Sequence, residues 1–157
     1  MKKIILFLMS AFTVVLMSSC SKDDKKTDYL KDGAITYTGT MTVTGSDESS
    51  FSLENVPVIL TENTDKSTVS ILMKNVKFAK AMPVTIDMTL KNIPYRLENN
   101  STALACKAVI PEAMQGPFPG YTMTDLSGSF DNTSFTISMT CVDSKINYTG
   151  TASTDKN

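Results

Sequence analysis

Apolar and polar side chains alternate one for one along much of the chain between residues 35 and 152. Ile35, Tyr37, Gly39, Met41 and Val43 interleave with Thr36, Thr38, Thr40, Thr42 and Thr44. Val84, Ile86, Met88 and Leu90 interleave with Thr85, Asp87, Thr89 and Lys91, and residues 135–141 and 146–152 repeat the pattern. A period of two sends successive side chains to opposite faces, so each run predicts a strand with one apolar and one polar face. Thr, Val, Ile and aromatic residues dominate these runs, as packing on a pleated surface favours.

Less regular runs fill the intervals. Residues 51–61 carry Phe51, Leu53, Val56, Val58 and Leu60 with a change of phase near Asn55–Pro57, which predicts a bulge. Residues 68–78 are apolar on both faces in their middle, and residues 102–110 and 121–130 complete a set of eight strands. Turn signals separate them at Gly45-Ser46-Asp47, Glu62-Asn63-Thr64-Asp65, Asn92, Glu98-Asn99-Asn100, Asp131-Asn132 and Asp143-Ser144. No segment carries a helical stripe over three turns. Eight antiparallel strands in residues 33–157 fit an up-and-down barrel or a sandwich. An internal echo favours the barrel: Tyr37-Thr38-Gly39-Thr40 in the first strand recurs as Tyr148-Thr149-Gly150-Thr151 in the last. Glycine inside a strand marks a bend or a close backbone approach, so these two strands are the expected closing pair.

Composition narrows the function classes. At 157 residues, with 41% hydrophobic and 20% charged residues, the chain has the size and character of one globular domain. The net charge of −1 leaves no basic footprint for nucleic acid. Histidine is absent, which removes Ser-His-Asp and Cys-His catalysis and leaves only carboxylates for metal sites. The acids are scattered: Asp23-Asp24 and Asp47-Glu48 fall in loop or tether, and Asp87 falls on a polar strand face. There is no Gly-rich phosphate loop, Cys-x-x-Cys pair or calcium loop. The expectation is a protein that is not an enzyme, with no catalytic residue, no metal and no cofactor.

The first residues read as an address. Met1-Lys2-Lys3 precedes an apolar stretch to Met17 that is too short for a comfortable membrane span, which needs ~20 residues, and suits a secretory leader. Leu16-Met17-Ser18-Ser19-Cys20 resembles the lipobox of bacterial lipoproteins, with Met17 in the slot usually held by leucine. That resemblance implies lipid attachment at Cys20 and removal of residues 1–19, leaving 138 residues with a net charge of −3 once Lys2 and Lys3 are gone. Several acyl chains on one cysteine hold a protein firmly, at ~0.8 kcal/mol per buried CH₂. Residues 20–32 form a charged tether, and its Ser21-Lys22-Asp23-Asp24 run is similar to the surface-export signal of Bacteroidetes lipoproteins. The implied location is the outer membrane, lipid-anchored and facing the cell surface. A generic charged linker on a periplasm-facing lipoprotein is the alternative.

The domain itself, residues 33–157, resembles the calycin-like (lipocalin-like) β-barrel lipoproteins of Bacteroidetes. The residues that carry the likeness are Gly33 to Val43, Met82-Pro83-Val84-Thr85-Ile86-Asp87-Met88 and Tyr148-Thr149-Gly150-Thr151. It implies an eight-stranded antiparallel barrel behind a lipidated tether, with no established activity. The Gly-x-Trp motif usual in the first strand of true lipocalins is missing, since the chain has no Trp, so their ligands do not carry over.

Cys106 and Cys141 remain once Cys20 is lipidated. Their even number and an oxidising compartment favour a disulfide. The apolar-face position of Cys141, and the placing of the two on strands five and seven, favour free thiols. Of the mature chain's seven methionines, Met41, Met88 and Met139 fall on apolar strand faces, as core filler or pocket lining. One long connection, Pro111 to Tyr121, is rich in Pro and Gly yet carries Met114, Phe118 and Tyr121. Long connections are often functional, so these three are the candidate ligand-binding residues, in a lid or plug at the barrel mouth. The expected function is binding of a small apolar or amphipathic molecule, with the membrane engaged only through the anchor. The alternatives are a protein- or glycan-interaction module, an inhibitor among them, that uses its rim loops, or a filled structural barrel. An enclosed cavity favours the first reading, and a filled interior with an exposed apolar rim favours the second. Labelled palmitate is expected to enter the wild-type chain and not Cys20→Ala; equal labelling of both would remove the anchor.

Overall fold

A computed structural model of the chain describes residues 30, 33–80, 82–98 and 101–153. The leader, Cys20, nearly all of the tether and the Asn99-Asn100 turn lie outside the described residues. Eight long strands run β1 (Ala34–Thr44), β2 (Ser50–Glu62), β3 (Thr68–Val76), β4 (Ile86–Glu98), β5 (Ser101–Val109), β8 (Met123–Phe130), β9 (Ser134–Cys141) and β10 (Ser144–Ala152). Between β5 and β8 lie a two-strand hairpin, β6 (Glu112–Ala113) and β7 (Gly116–Pro117), and a 3-10 turn (Pro119–Tyr121). Each long strand pairs antiparallel with its neighbours in the order β3-β2-β1-β10-β9-β8-β5-β4, and β3 also pairs with β4, so the sheet closes on itself. The protein is an all-β, eight-stranded up-and-down barrel.

The expected closing pair is the observed one. β1 and β10 pair from Tyr37↔Ala152 to Thr44↔Lys145, with Gly39 opposite Gly150. The approach there is so close that a Cβ on Gly39 would stand 2.0 Å from the Thr149 carbonyl oxygen and 2.4 Å from the Gly150 Cα. On β10 the Tyr148 ring folds back over Gly150, where a Cβ would lie 2.3 Å from its hydroxyl oxygen. The Tyr148 hydroxyl then reaches across β1 and donates to the Val56 carbonyl of β2 at 3.1 Å. Gly128 on β8 makes a third close approach, with a Cβ falling 2.3 Å from the Thr136 carbonyl oxygen. Glycines facing the interior let the sheet turn sharply where a side chain would hold it open.

Bulges supply the remaining curvature. The phase change near Asn55 is a bulge: Gly39 pairs with Val56 but Met41 with Leu53, and Asn55 holds a φ of 55°. Asn75 and Asn92 sit at the two register shifts between β3 and β4, and Asp125 sits at the shift between β8 and β9, all with positive φ. Asn and Asp tolerate the left-handed region better than other side chains. Asn92 corrects an expectation, because the chain continues straight through it as strand and does not turn. Val84, expected on an apolar strand face, precedes β4 and is 63% exposed. β4 and β5 pair only from Tyr95–Glu98 to Ser101–Leu104; nearer the start of β4 its partner is β6, through Thr89↔Glu112. The Asn92 bulge and Pro94, which has no N–H to donate, fall between these two ladders.

The lumen is occupied by the protein's own side chains. Tyr37, Met41, Met73, Met88, Phe130, Phe135 and Tyr148 are each at most 1% exposed. Phe135 stands between Tyr37 and Tyr148 with ring centroids at 5.4 and 5.6 Å. The Tyr37 hydroxyl donates to the Asp131 carbonyl at 2.5 Å, tying β1 to the β8–β9 turn. Because the Gly39 clash is with backbone, Gly39→Ala should lower unfolding free energy by on the order of 3 kcal/mol. Gly116 has no atom within 4 Å of an added Cβ. Gly116→Ala should therefore stay within about 0.5 kcal/mol. Urea titration of both variants checks the contrast.

Candidate functional site at the distal end

Strand directions sort the loops between two ends. The described chain enters the barrel at Ala34; this proximal end also holds the turns at 63–67 and 131–133. The distal end holds the connections at 45–49, 77–85, 110–122 and 142–143.

The three residues expected to bind ligand all lie in the 110–122 connection at the distal end. Phe118 and Tyr121 are brought together: their rings stack at 4.8 Å and 5° between planes, and Tyr121 leans on Phe78 at 6.3 Å. Local hydrogen bonds fix that stack. Phe118 N–H donates to the Pro111 carbonyl at 2.8 Å, Tyr121 N–H to Phe118 at 3.0 Å, and the Thr122 hydroxyl to Pro119 at 2.8 Å. Both rings are half-buried against the core, so they plug this end of the barrel. Met114 does not join them. It occupies the tip of the β6–β7 hairpin and is 72% exposed. The hairpin is braced by its pairing to β4 and by an ion pair between Lys91 and Glu112 at 2.6 Å. With both partners about half exposed, that ion pair contributes little to stability.

Beside the plug lies a cleft of about 280 Å³ lined by Val43, Gly45, Asp47, Phe51, Phe78 and Lys80 among others. Phe78, only 2% exposed, links the cleft to the Tyr121 stack. The Lys77 ammonium stands 5.7 Å over the Phe51 ring. Hydrogen bonds from Ser49 hold the Asp47 carboxyl below its ordinary range. Two smaller depressions of about 210 and 200 Å³ lie along the strands.

Exposed apolar side chains are distributed unequally. Val84, Ile110, Met114, Val142 and Leu97 are the large apolar residues more than half exposed among the described residues, and all but Leu97 are at the distal end. The ladders set two of them, Ile110 and Val142, near one another on either side of Thr122. Val109, Met123 and Cys141 are register partners, so Ile110, Thr122 and Val142 follow side by side. The sequence pattern does not single out Val142, because its turn signal, Asp143-Ser144, lies one residue late. In the structure Cys141 pairs with Ser144 around a two-residue turn of Val142 and Asp143.

Both described cysteines are free. They lie on β5 and β9 with β8 between them. Cys141 is buried, directs its thiol at the Tyr121 carbonyl at 3.7 Å, and burial pushes its pKa up to about 11. Cys106 is half-buried with its thiol 3.3 Å from the Ala108 carbonyl. Among the described residues no group of His, Cys, Asp or Glu is placed to hold a metal ion. Comparison of the chain with protein-family models, curated proteins and solved structures finds no match. In the Cys20→Ala chain, maleimide is expected to modify Cys106 under native conditions and Cys141 only after denaturation; native labelling that survives Cys106→Ser would contradict this burial.

Proposed function

We propose that this chain is a non-enzymatic, lipid-anchored barrel of the outer membrane, akin to the calycin-like lipoproteins of Bacteroidetes, which docks a partner through its distal loops. The observation that carries the reading is the pairing of an occupied lumen with an apolar fringe at one end. Tyr37, Met41, Phe135 and Tyr148 fill the space a lipocalin-type ligand would need, while Val84, Ile110, Met114 and Val142 are offered to solvent. Exposed apolar residues gathered at one pole mark interaction sites more often than singly scattered ones do. An anchor at Cys20 joins the chain at the proximal end, which leaves the distal end free to face outward.

A second reading rests on the cleft beside Phe51 and Phe78. Its volume of about 280 Å³ lies near the lower bound of small-molecule sites, and its apolar floor with charged rim suits a small amphipathic molecule.

Proximity labelling from a carboxy-terminal fusion in the native host separates these readings. With the full lipoprotein, neighbours labelled by wild type and by Leu97→Thr should be lost when Val84, Ile110, Met114 and Val142 are all changed to Thr at equal protein level. An unchanged neighbour set would defeat the docking reading. A small molecule co-purifying with the host-derived protein in native mass spectrometry, and lost on Phe51→Ala, would establish the cleft reading instead.

A further inference from the structure

Nine non-glycine residues among those described have positive φ. Seven of them are polar: Glu48, Asn55, Lys66, Asn75, Asn92, Gln115 and Asp125. The four at strand bulges are all Asn or Asp, the side chains that bear left-handed backbone most easily. Two exceptions remain, Met114 at 50° and Val142 at 54°. Both occupy two-residue hairpin turns at the distal end, and they are the two most exposed of the large apolar residues there, with Val84 just below Val142.

Each turn asks for a different residue. Met114 and Gln115 both have positive φ, at 50° and 68°, the I′ pattern that prefers Asn-Gly. At the β9–β10 turn only the first central residue is left-handed, the II′ pattern that prefers Gly. A β-branched residue there is a true outlier. Neither side chain gains burial in return, since Met114 is 72% and Val142 64% exposed. Local propensity and burial therefore both oppose these residues, and opposition of that kind concentrates at functional positions.

From this we infer that Met114 and Val142 are anchor side chains that insert into apolar pockets on a partner protein; the inference rests on the docking reading and names its contact residues. The charge pattern selects a protein as occupant. Around the fringe, Asp143 adjoins Val142, Glu112 pairs with Lys91, and Asp47 faces Lys80 across the cleft. A bilayer surface would be met by a predominantly basic rim, and this rim has both signs. A second copy of the chain cannot dock here by adding a strand, because all eight long strands are closed into one sheet. The anchors stand on turns two residues wide that project from a rigid wall, so they fit recesses better than a flat face.

The test uses the full lipoprotein in its host, with a photo-crosslinking residue placed at position 115 or 143, and at Ser46 and Leu97 for comparison. The protein captured from 115 and 143 is then purified and titrated against variants. Met114→Asn with Val142→Gly should raise the melting temperature by ~2–4 °C. The same variant should weaken binding by at least ~10-fold, while Met114→Leu retains it. A variant that melts no higher than wild type overturns the inference, as does undiminished binding. Capture from Ser46 alone leaves the docking reading in place and removes this one. Crosslinks to lipid alone, or to a second copy alone, overturn the choice of occupant. No protein captured from any distal position removes both readings.

Discussion

Closure of the sheet depends on how closely β1 can approach β10. Gly39 and Gly150 face each other in register, and neither position has room for a Cβ. The volume left by the missing side chains is taken by the Tyr148 ring, which lies over its own strand and sends its hydroxyl to Val56. Val56 is the residue opposite Gly39, at the edge of the Asn55 bulge. One aromatic side chain thus crosses three strands where the barrel is most tightly bent. Burial raises the pKa of its hydroxyl far above the ordinary range, so it remains a hydrogen-bond donor. Removing that donor would leave a buried carbonyl without its partner, a cost of about 1–3 kcal/mol.

Much of this was legible in the chain because its chemistry is local and periodic. The alternation around Met41, Met88 and Met139 identified inward faces, and those residues are at most 1% exposed. The repeated Tyr-Thr-Gly-Thr pointed to the closing strands, because it places a close-approach glycine at matching positions of the first and last strands. Illegible features were those in which one signal has two outcomes. Asn92 carries a turn residue's preference for left-handed backbone, and a bulge uses the same preference without ending the strand. Val84 continues an alternation that the backbone does not follow, since pairing with β3 starts only at Ile86. Phe118 and Tyr121 could be grouped by their loop, but the packing of Tyr121 on Phe78, forty-three residues earlier, is invisible to a local pattern.

Filling the lumen moves the functional question to the ends of the barrel. An eight-stranded barrel is at the size where side chains alone can occupy the interior. Here two tyrosines, two phenylalanines and several methionines do so, and Met adapts readily to the irregular gaps between aromatic rings. On the docking proposal recognition comes from loops, and loops on a rigid closed wall are well-held supports for contact residues.

The two ends treat their loops differently. At the proximal end Asp65 accepts from the Ser67 and Thr68 N–H groups, and Asp131 from those of Thr133 and Ser134. These bonds satisfy the turn backbone. The Thr133 hydroxyl on Asp131 and the backbone bonds to both acids hold the two carboxyls below their ordinary pKa, so their contribution is present at neutral pH and fades as acid protonates them. At the distal end Asp47 does the same for one loop, through Ser49. The hairpin tips at 114–115 and 142–143 instead carry Met and Val where the backbone asks for Asn or Gly. Chain geometry cannot account for that difference, because both tips are short antiparallel turns of the kind that polar residues serve best. Burial cannot account for it either, since both side chains face water. Both tips stand at the pole remote from where the chain enters the barrel. On the docking proposal, a contact made outside the molecule supplies the apolar surroundings that the fold does not.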